Sequence, residues 1–226
     1  MHGYSFLPGK SSRDSGFSLT ELLVVIAVIA LLSSLTVPVV RSSIEKGKQV
    51  KCNANLRQIG IGMQGFVADN NGFYPYAGTT NANSWARQLE PYTESTSRAS
   101  VKKLGKDCYY CPSSELSHEI SDYGVNINVI LQGAANQLKA VQVARPTQTI
   151  LTLDAGELWA PTREFIGSFR LQRKWLNRPS ADPWAEDGPK PRHGNQLNVL
   201  FCDGSMQTMT YARLLELHRA RAFEIE

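Results

Sequence analysis

The 226-residue chain is long enough for one ordinary domain and a membrane segment, and its net charge of +4 is small. The balance of 24 basic and 20 acidic residues does not indicate a nucleic-acid partner, which would require basic residues clustered on one element. One such cluster surrounds Trp175, and a solvated loop explains it better than a binding face; its members are Arg170, Arg173, Lys174 and Arg178. The sequence therefore establishes no nucleic-acid partner.

An apolar run of 24 residues, Phe17–Val40, has Glu21 as its one charged residue. As an α-helix it would be about 36 Å long, enough to cross a bilayer core of about 30 Å. A buried core helix seldom stays apolar on every face for this length. Lys10 and Arg13 precede the run, so the positive-inside rule predicts a cytoplasmic N-terminus. These features predict a transmembrane helix over residues 17–40.

Other membrane segments fit this run less well. A secretory signal peptide would be shorter and followed by a small-residue cleavage site, and Ser33-Ser34-Leu35 is a weak one. A lipoprotein signal needs a cysteine directly after the apolar stretch, whereas the first cysteine is Cys52. A plain anchor explains the length but not Glu21, because a carboxylate in lipid costs a few kcal/mol and usually has a function.

The segment Gly16–Leu23, GFSLTELL, resembles the type III signal of type IV prepilins and type II secretion pseudopilins. The resemblance implies that prepilin peptidase cleaves after Gly16, leaving residues 1–16 as a leader, and methylates the amine of Phe17. It also implies that Glu21 pairs with the N-terminal ammonium of a neighbouring pilin-like subunit. Two desolvated opposite charges are tolerable only as a pair, so this contact would also set the subunit register.

Beyond the apolar run the helical pattern becomes one-sided. Apolar residues fall on one helix face at spacings of 4, 3, 4 and 3, namely Cys52, Leu56, Ile59, Met63 and Phe66. The Asp69–Gly72 segment, DNNG, is a helix-stop signal. We therefore expect an amphipathic continuation of the helix over residues 41–68 and an extracytoplasmic head over residues 69–226.

The head pattern predicts an antiparallel sheet. Its strand candidates are Tyr123–Leu131, Thr149–Leu153, Leu197–Cys202 and Met206–Tyr211, and a terminal helix is predicted over Tyr211–Phe223. Asp203-Gly204 is a short hairpin signal and predicts a type I′ turn. The expected fold class is α+β, with a long N-terminal helix packed on a small antiparallel sheet.

Parts of the head resemble a large group of bacterial pseudopilin-like proteins. The matching segments are Cys52–Gly60, Cys111-Pro112-Ser113, Tyr123–Asn126, and His193 followed after nine residues by Asp203-Gly204. Cys202 departs from the group, in which a small residue is commoner. The resemblance implies a processed prepilin-like protein and no chemical activity.

His193 and Asp203, with Asp154, are candidates for an acid–base pair or for metal ligands. A structural role is the better interpretation, with Asp203-Gly204 forming the turn and His193 bonding a backbone group beside the hairpin. The sequence contains no Gly-x-Ser-x-Gly or His-Glu-x-x-His motif. Neither a catalytic set, a metal nor a cofactor is predicted.

All four cysteines follow the membrane run, where an oxidising compartment favours disulfides. They are Cys52, Cys108, Cys111 and Cys202, and the sequence leaves their pairing open. Cys108 and Cys111 also have zinc spacing, and His118 and Cys202 would complete a tetrahedral set. At least one disulfide is the favoured interpretation.

Three functional hypotheses follow. The first is a structural filament subunit in the inner membrane, with its head in the periplasm or in an extracellular filament. The second is a minor subunit at a filament tip that binds cargo or a surface. The third, least favoured, is a membrane-anchored enzyme using His193 and Asp203, or a zinc-binding module. The sequence does not distinguish type II secretion from a type IV pilus or DNA uptake.

Overall fold

The structure is a computed structural model that describes residues 17–77, 84–93, 108–114, 121–126, 128–131, 133–155 and 191–219. Gly16 and the rest of the predicted leader, His118 and the basic cluster around Trp175 lie outside these residues. The chain divides into two compact units between Ser43 and Ile44.

The first helix, α1, spans Leu19–Asp69 and has 51 residues. Its start is a capping box that the sequence analysis missed, although Ser followed three residues later by Glu is its usual signature. The Ser18 backbone N–H donates to Glu21 Oε2 at 2.8 Å, and the Glu21 N–H donates to Ser18 Oγ at 3.2 Å. These bonds satisfy two of the backbone donors that a helix start leaves without partners.

The first part of α1 exposes its apolar side chains. Its most apolar 18-residue window is not buried at all, and the helix is long and apolar enough to cross a membrane by length and composition. The core helix of a soluble domain would instead be largely buried. Pro38 lies inside α1 without ending it.

The second part of α1 belongs to the head. Its predicted apolar face is confirmed, since all five of its members are buried: Cys52, Leu56, Ile59, Met63 and Phe66. They form a core with aromatic side chains that include Trp85, Tyr109 and Tyr123. The helix ends at Asp69, where the Asn-Gly signal predicted its end.

Glycine on α1 permits a close approach between the helix and the segment that follows α2 (Trp85–Gln88). A Cβ atom on Gly62 would lie 2.7 Å from Thr93 Cγ2, and one on Gly65 would lie 2.9 Å from Tyr92 Cδ1. The low helix propensity of these glycines is therefore offset by packing that a larger residue would disturb.

The described residues form a four-stranded antiparallel sheet with strands in chain order. The strands are β1 (Tyr123–Val125), β2 (Ile150–Asp154), β3 (Gln196–Phe201) and β4 (Met206–Thr210), and helix α3 follows at Tyr211–Arg219. The predicted α+β class, with a long apolar N-terminal helix packed on an antiparallel sheet, is confirmed.

β1 is much shorter than predicted, because the chain turns at Asn126. The Asn126 carbonyl accepts hydrogen bonds from Val129 N at 3.0 Å and Ile130 N at 2.8 Å. The Asn126 side chain also donates to Ile150 O at 2.8 Å and ties the turn to β2. The apolar residues after Val125 thus continue into a buried turn instead of a strand.

The sheet is covered on both faces. Alternate residues of β3 point to opposite sides, so Leu197 and Val199 pack with Leu214 of α3, whereas Leu200 joins the core under α1. The sheet is therefore the middle layer of the head, and side chains at the ends of its strands are held by packing from two directions.

The β3–β4 turn differs from the predicted type I′ turn. Gly204 N donates to Phe201 O at 3.0 Å, and Phe201 N donates to Ser205 O at 2.9 Å. Gly204 has φ +85°, whereas Asp203 does not have a positive φ, so the two do not form a type I′ pair. The arrangement is a three-residue loop in which a type I turn precedes a left-handed glycine. This longer loop ends β3 at Phe201 and places Cys202 in the turn.

We expect Gly204→Val to reduce the free energy of unfolding of the second compact unit, residues 44–226, by on the order of 1–3 kcal/mol, because valine resists a positive φ. Gly204→Asn should cost less, since asparagine tolerates the left-handed region. Urea unfolding of both variants measures the difference. Equal losses would show that the added side chain's contact with Gln64, and not backbone strain, determines the cost.

Candidate functional site

The N-terminal candidates lie at the start of α1. Phe17 is 76% exposed, and the Glu21 carboxylate is held against the Ser18 backbone by the capping box. The carboxylate therefore sits beside the peptide link that follows Phe17, four residues from it in sequence. Gly16 lies outside the described residues.

The second candidate site lies in the head and contains a disulfide. Cys52 of α1 is bonded to Cys111 of the Cys108–Ser114 loop, with a Cα–Cα distance of 5.2 Å and a sequence separation of 59. This is one of the pairings that the sequence left open. Closing a loop of this length removes unfolded-state entropy worth about 4 kcal/mol at 25 °C. Cys108 and Cys202 keep their thiols.

His193 lies beside this disulfide. Its Nε2 is 3.5 Å from Cys111 Sγ, and its Nδ1 is 3.5 Å from Ser113 Oγ. A tight turn through Gly194 and Asn195, both with positive φ, positions it directly before β3. His193 and Gln196 exchange backbone hydrogen bonds across that turn. The Gly-Asn dipeptide is a sequence signal for this turn, and the turn was not among the predicted elements.

Asp154, at the end of β2, lies near His193 and so belongs to the same group of buried side chains beside the disulfide. Its Oδ2 accepts from Asn198 N at 2.7 Å and lies 3.8 Å from His193 Nε2, too far for a hydrogen bond. Its Oδ1 has no hydrogen-bond partner among the described residues.

Burial disfavours the charged forms of both side chains. It raises the pKa of Asp154 to about 7, although the positive charge of Arg192 acts in the opposite direction. Burial, and then the charge of Arg192, lower the pKa of His193. Arg192 itself donates to the Asp122 carbonyl at 3.1 Å and to the carbonyl of Ala155. A strong ion pair between Asp154 and His193 is therefore not favoured near neutral pH.

Asp203 does not join His193. It is exposed in the β3–β4 turn, where its Oδ1 accepts from Ser205 N at 2.9 Å and from Ser205 Oγ at 2.6 Å. His193 precedes β3 and Asp203 follows it, so a six-residue strand, about 20 Å at its usual rise, separates them. The nine-residue spacing thus spans a strand, so the acid–base pair considered for these residues is not assembled and His193 does not lie beside the β3–β4 turn.

The zinc set considered from sequence is not assembled among the described residues. Cys111 forms a disulfide with Cys52, and the Cys202 side chain is hydrogen-bonded to the Tyr74 side chain. Three other donors do come together: Cys52, Cys111 and His193 lie with their ligand atoms within 4.8 Å of one another. Sequence spacing could not reveal this group, because its members lie far apart in the chain.

Cys202 lines a pocket of about 210 Å³ between α1 and the β3–β4 turn. Burial raises the pKa of the Cys202 thiol to about 12, and burial likewise raises the pKa of Tyr74 beside it. The other residues lining this mostly apolar pocket include Gly60, Met63, Val67, Leu151 and Phe201. A thiol of such high pKa is a poor nucleophile at neutral pH.

We expect iodoacetamide to leave the native oxidised protein unmodified in a short exposure at pH 7. Cys108 is buried, and the thiolate fraction of Cys202 is about a thousandfold below that of a thiol at the ordinary pKa of 9. Denaturation should permit two modifications, and denaturation with reduction should permit four. Intact mass spectrometry counts them. Four modifications without reduction would contradict the Cys52–Cys111 bond.

Comparison with known proteins identifies only the N-terminal region. Residues 11–37 match the family described as the prokaryotic N-terminal methylation motif. No curated protein and no solved structure matches the chain. The chain therefore carries a type IV pilin- or pseudopilin-like methylation motif, which implies processing by prepilin peptidase, followed by a long apolar helix and an antiparallel sheet.

Proposed function

We propose that this chain is a structural filament subunit, a pseudopilin of a type II secretion or type IV pilus-like assembly. The observation that carries the proposal is a methylation motif that runs directly into an exposed apolar helix and then into a folded head. The leader would be residues 1–16, the membrane helix residues 17–40 and its amphipathic continuation residues 41–68. Pilin-like proteins are generally not enzymes, and we propose no catalytic role for the head, residues 69–226.

The exposed half of α1 supports assembly through this helix. Between Phe17 and Val40, 15 large apolar side chains are exposed. Covering them would contribute on the order of tens of kcal/mol, more than the usual net stability of a whole domain. Lipid of the inner membrane supplies that cover before assembly, and the helices of neighbouring subunits supply it afterwards.

The geometry of Glu21 supports a contact with a neighbouring N-terminus. After cleavage, the ammonium of Phe17 would be the nearest cation of an incoming copy in an otherwise uncharged helical segment. One Glu21 oxygen is occupied by the Ser18 N–H, and a carboxylate has further acceptor sites. The side chain can therefore cap its own helix and still pair with a second chain.

The first test of the proposal concerns processing. Gly16→Leu should leave a precursor that is 16 residues too long, because the peptidase reads the residue before the cut. Gly9→Leu, which changes the same residue type elsewhere in the leader, should be processed normally. Intact mass of protein extracted from membranes with an active prepilin peptidase measures both. A mature chain that begins at a residue other than Phe17 would refute the assigned cut.

The second test separates the charge of Glu21 from its capping role. Glu21→Gln keeps a capping-box side chain but removes the charge, whereas Glu21→Ala removes both. Both variants should be cleaved after Gly16, and both should yield few filaments, because each lacks the partner of the ammonium. Filament yield is measured by shearing and electron microscopy.

The comparison between the two variants decides the mechanism. If Glu21→Gln assembles as well as the wild type, the capping hydrogen bonds alone explain why assembly needs Glu21, and the proposed charge pair is refuted. Leu22→Ala, which also shortens an exposed side chain in the first turn of α1, controls for general damage to that turn.

A further inference from the structure

Two side chains near the disulfide in the head, His193 and Asp154, are of types that bind metals, and a structural cross-link does not require them. His193 Nε2 lies 3.5 Å from Cys111 Sγ, and a carboxylate oxygen of the buried Asp154 lies 3.8 Å from the same nitrogen. We propose that Cys52 and Cys111 in their reduced form, together with His193 and Asp154, bind one Zn²⁺ ion. The zinc site and the disulfide would be alternative states of the same sulfur atoms.

Three of the donors have the spacing of a zinc site, since the ligand atoms of Cys52, Cys111 and His193 lie within 4.8 Å of one another. With ordinary zinc bond lengths, a thiolate sulfur and an imidazole nitrogen on one ion lie about 3.6 Å apart. Cys111 Sγ and His193 Nε2 are 3.5 Å apart. Nitrogen and carboxylate oxygen would lie about 3.3 Å apart on zinc, and the His193–Asp154 distance is 3.8 Å. Two sulfurs on zinc lie about 3.8 Å apart, so the bonded sulfurs must separate. Asp154 lies outside the group of donors that are within 4.8 Å of one another, so its carboxylate must also move toward the sulfurs to become the fourth ligand.

The surrounding groups orient these donors. His193 Nδ1 faces Ser113 Oγ, which leaves Nε2 as the nitrogen directed at the sulfur and the carboxylate. A hydrogen bond to the second ring nitrogen is the usual way in which proteins orient a zinc-binding histidine. The Cys111 backbone N–H donates to Asp122 Oδ2 at 2.8 Å, which fixes the loop that carries Cys111.

Among the residues that the structure describes, Asp154 also has an unpartnered buried oxygen, Oδ1, whereas the oxygen nearest His193 is Oδ2. Asp154 is fully buried, and its Oδ1 has no hydrogen-bond partner within the described part of the chain. A buried carboxylate oxygen without a partner carries a desolvation cost that a cation would offset. Two thiolates, one imidazole and one carboxylate are donors that zinc accepts.

The two states interconvert by a balanced reaction. The nascent chain carries Cys52 and Cys111 as thiols, and Zn²⁺ binding releases one proton from each as two Zn–S bonds form. A disulfide oxidant then accepts two electrons, the sulfurs join and Zn²⁺ leaves. A dithiol reductant reverses this step by supplying two electrons, after which the two thiolates bind Zn²⁺ again and the two protons of the reductant are released. Zinc would thus hold the Cys111 loop against α1 before oxidation makes that connection covalent.

The test uses the detergent-solubilised full chain, reduced under nitrogen with a phosphine that is then removed. Reduced wild type should bind one Zn²⁺ per chain, measured by metal analysis after gel filtration. Co²⁺ in its place should give the absorption of a tetrahedral thiolate site. Oxidised wild type should bind no Zn²⁺.

Matched variants identify the ligands. His193→Ala should weaken Zn²⁺ binding on the order of 100-fold in competition with a chelating dye, and Asp154→Asn should also weaken it. Cys202→Ala removes a cysteine outside the proposed set and should bind as wild type does. Formation of the disulfide by oxidised His193→Ala would show that this variant still folds.

Three results would overturn the site. They are undiminished binding by His193→Ala, loss of binding in Cys202→Ala, and no binding by reduced wild type. If the reduced chain loses structure, added Zn²⁺ should restore its circular dichroism; failure to do so also refutes the proposal.

Discussion

The apolar surface on the first half of α1 is the constraint on which the molecule depends. It is exposed in the described part of the chain, and keeping so much apolar area in water would cost more free energy than the usual net stability of a whole domain. The second half of the same helix has the opposite character, with one apolar face buried in the core of the head. Helix α1 therefore serves both as a membrane anchor and as part of the core of the head. Its first half carries apolar residues on all faces, and its second half carries them on one face.

The head is attached to α1 by three kinds of interaction at the same place. The apolar face of the helix packs in the core, the disulfide joins Cys52 to Cys111, and the buried Asn55 side chain donates to Tyr110 O at 2.7 Å. His193 and Asp154 approach this junction from the two central strands. One buried region between the helix and the sheet thus brings together four residues from distant parts of the chain: Cys52, Cys111, Asp154 and His193.

Local periodicity made much of the fold predictable. The 4-3-4-3 spacing identified the buried face of α1, and the apolar runs located β2, β3 and β4 to within one residue at each end. β1 was overpredicted because its apolar residues continue into a turn closed by Asn126, which leaves no trace in the hydrophobic pattern. The cluster around the disulfide, which includes His193 and Asp154, could not be predicted from the sequence for a different reason. Its geometry depends on pairing between distant segments, and the His-Asp-Gly spacing pointed to the wrong end of β3.

The position of the disulfide also has a mechanical consequence. In the filament proposed above, a load pulling on the head would pass into α1, and packing alone would let the helix separate from the head one turn at a time. The Cys52–Cys111 bond closes that route, because the helix and the Cys111 loop cannot separate without breaking a covalent link. Tension beyond Cys52 would therefore be shared by the whole head. The weakest element under load would shift to the helical segment that precedes it.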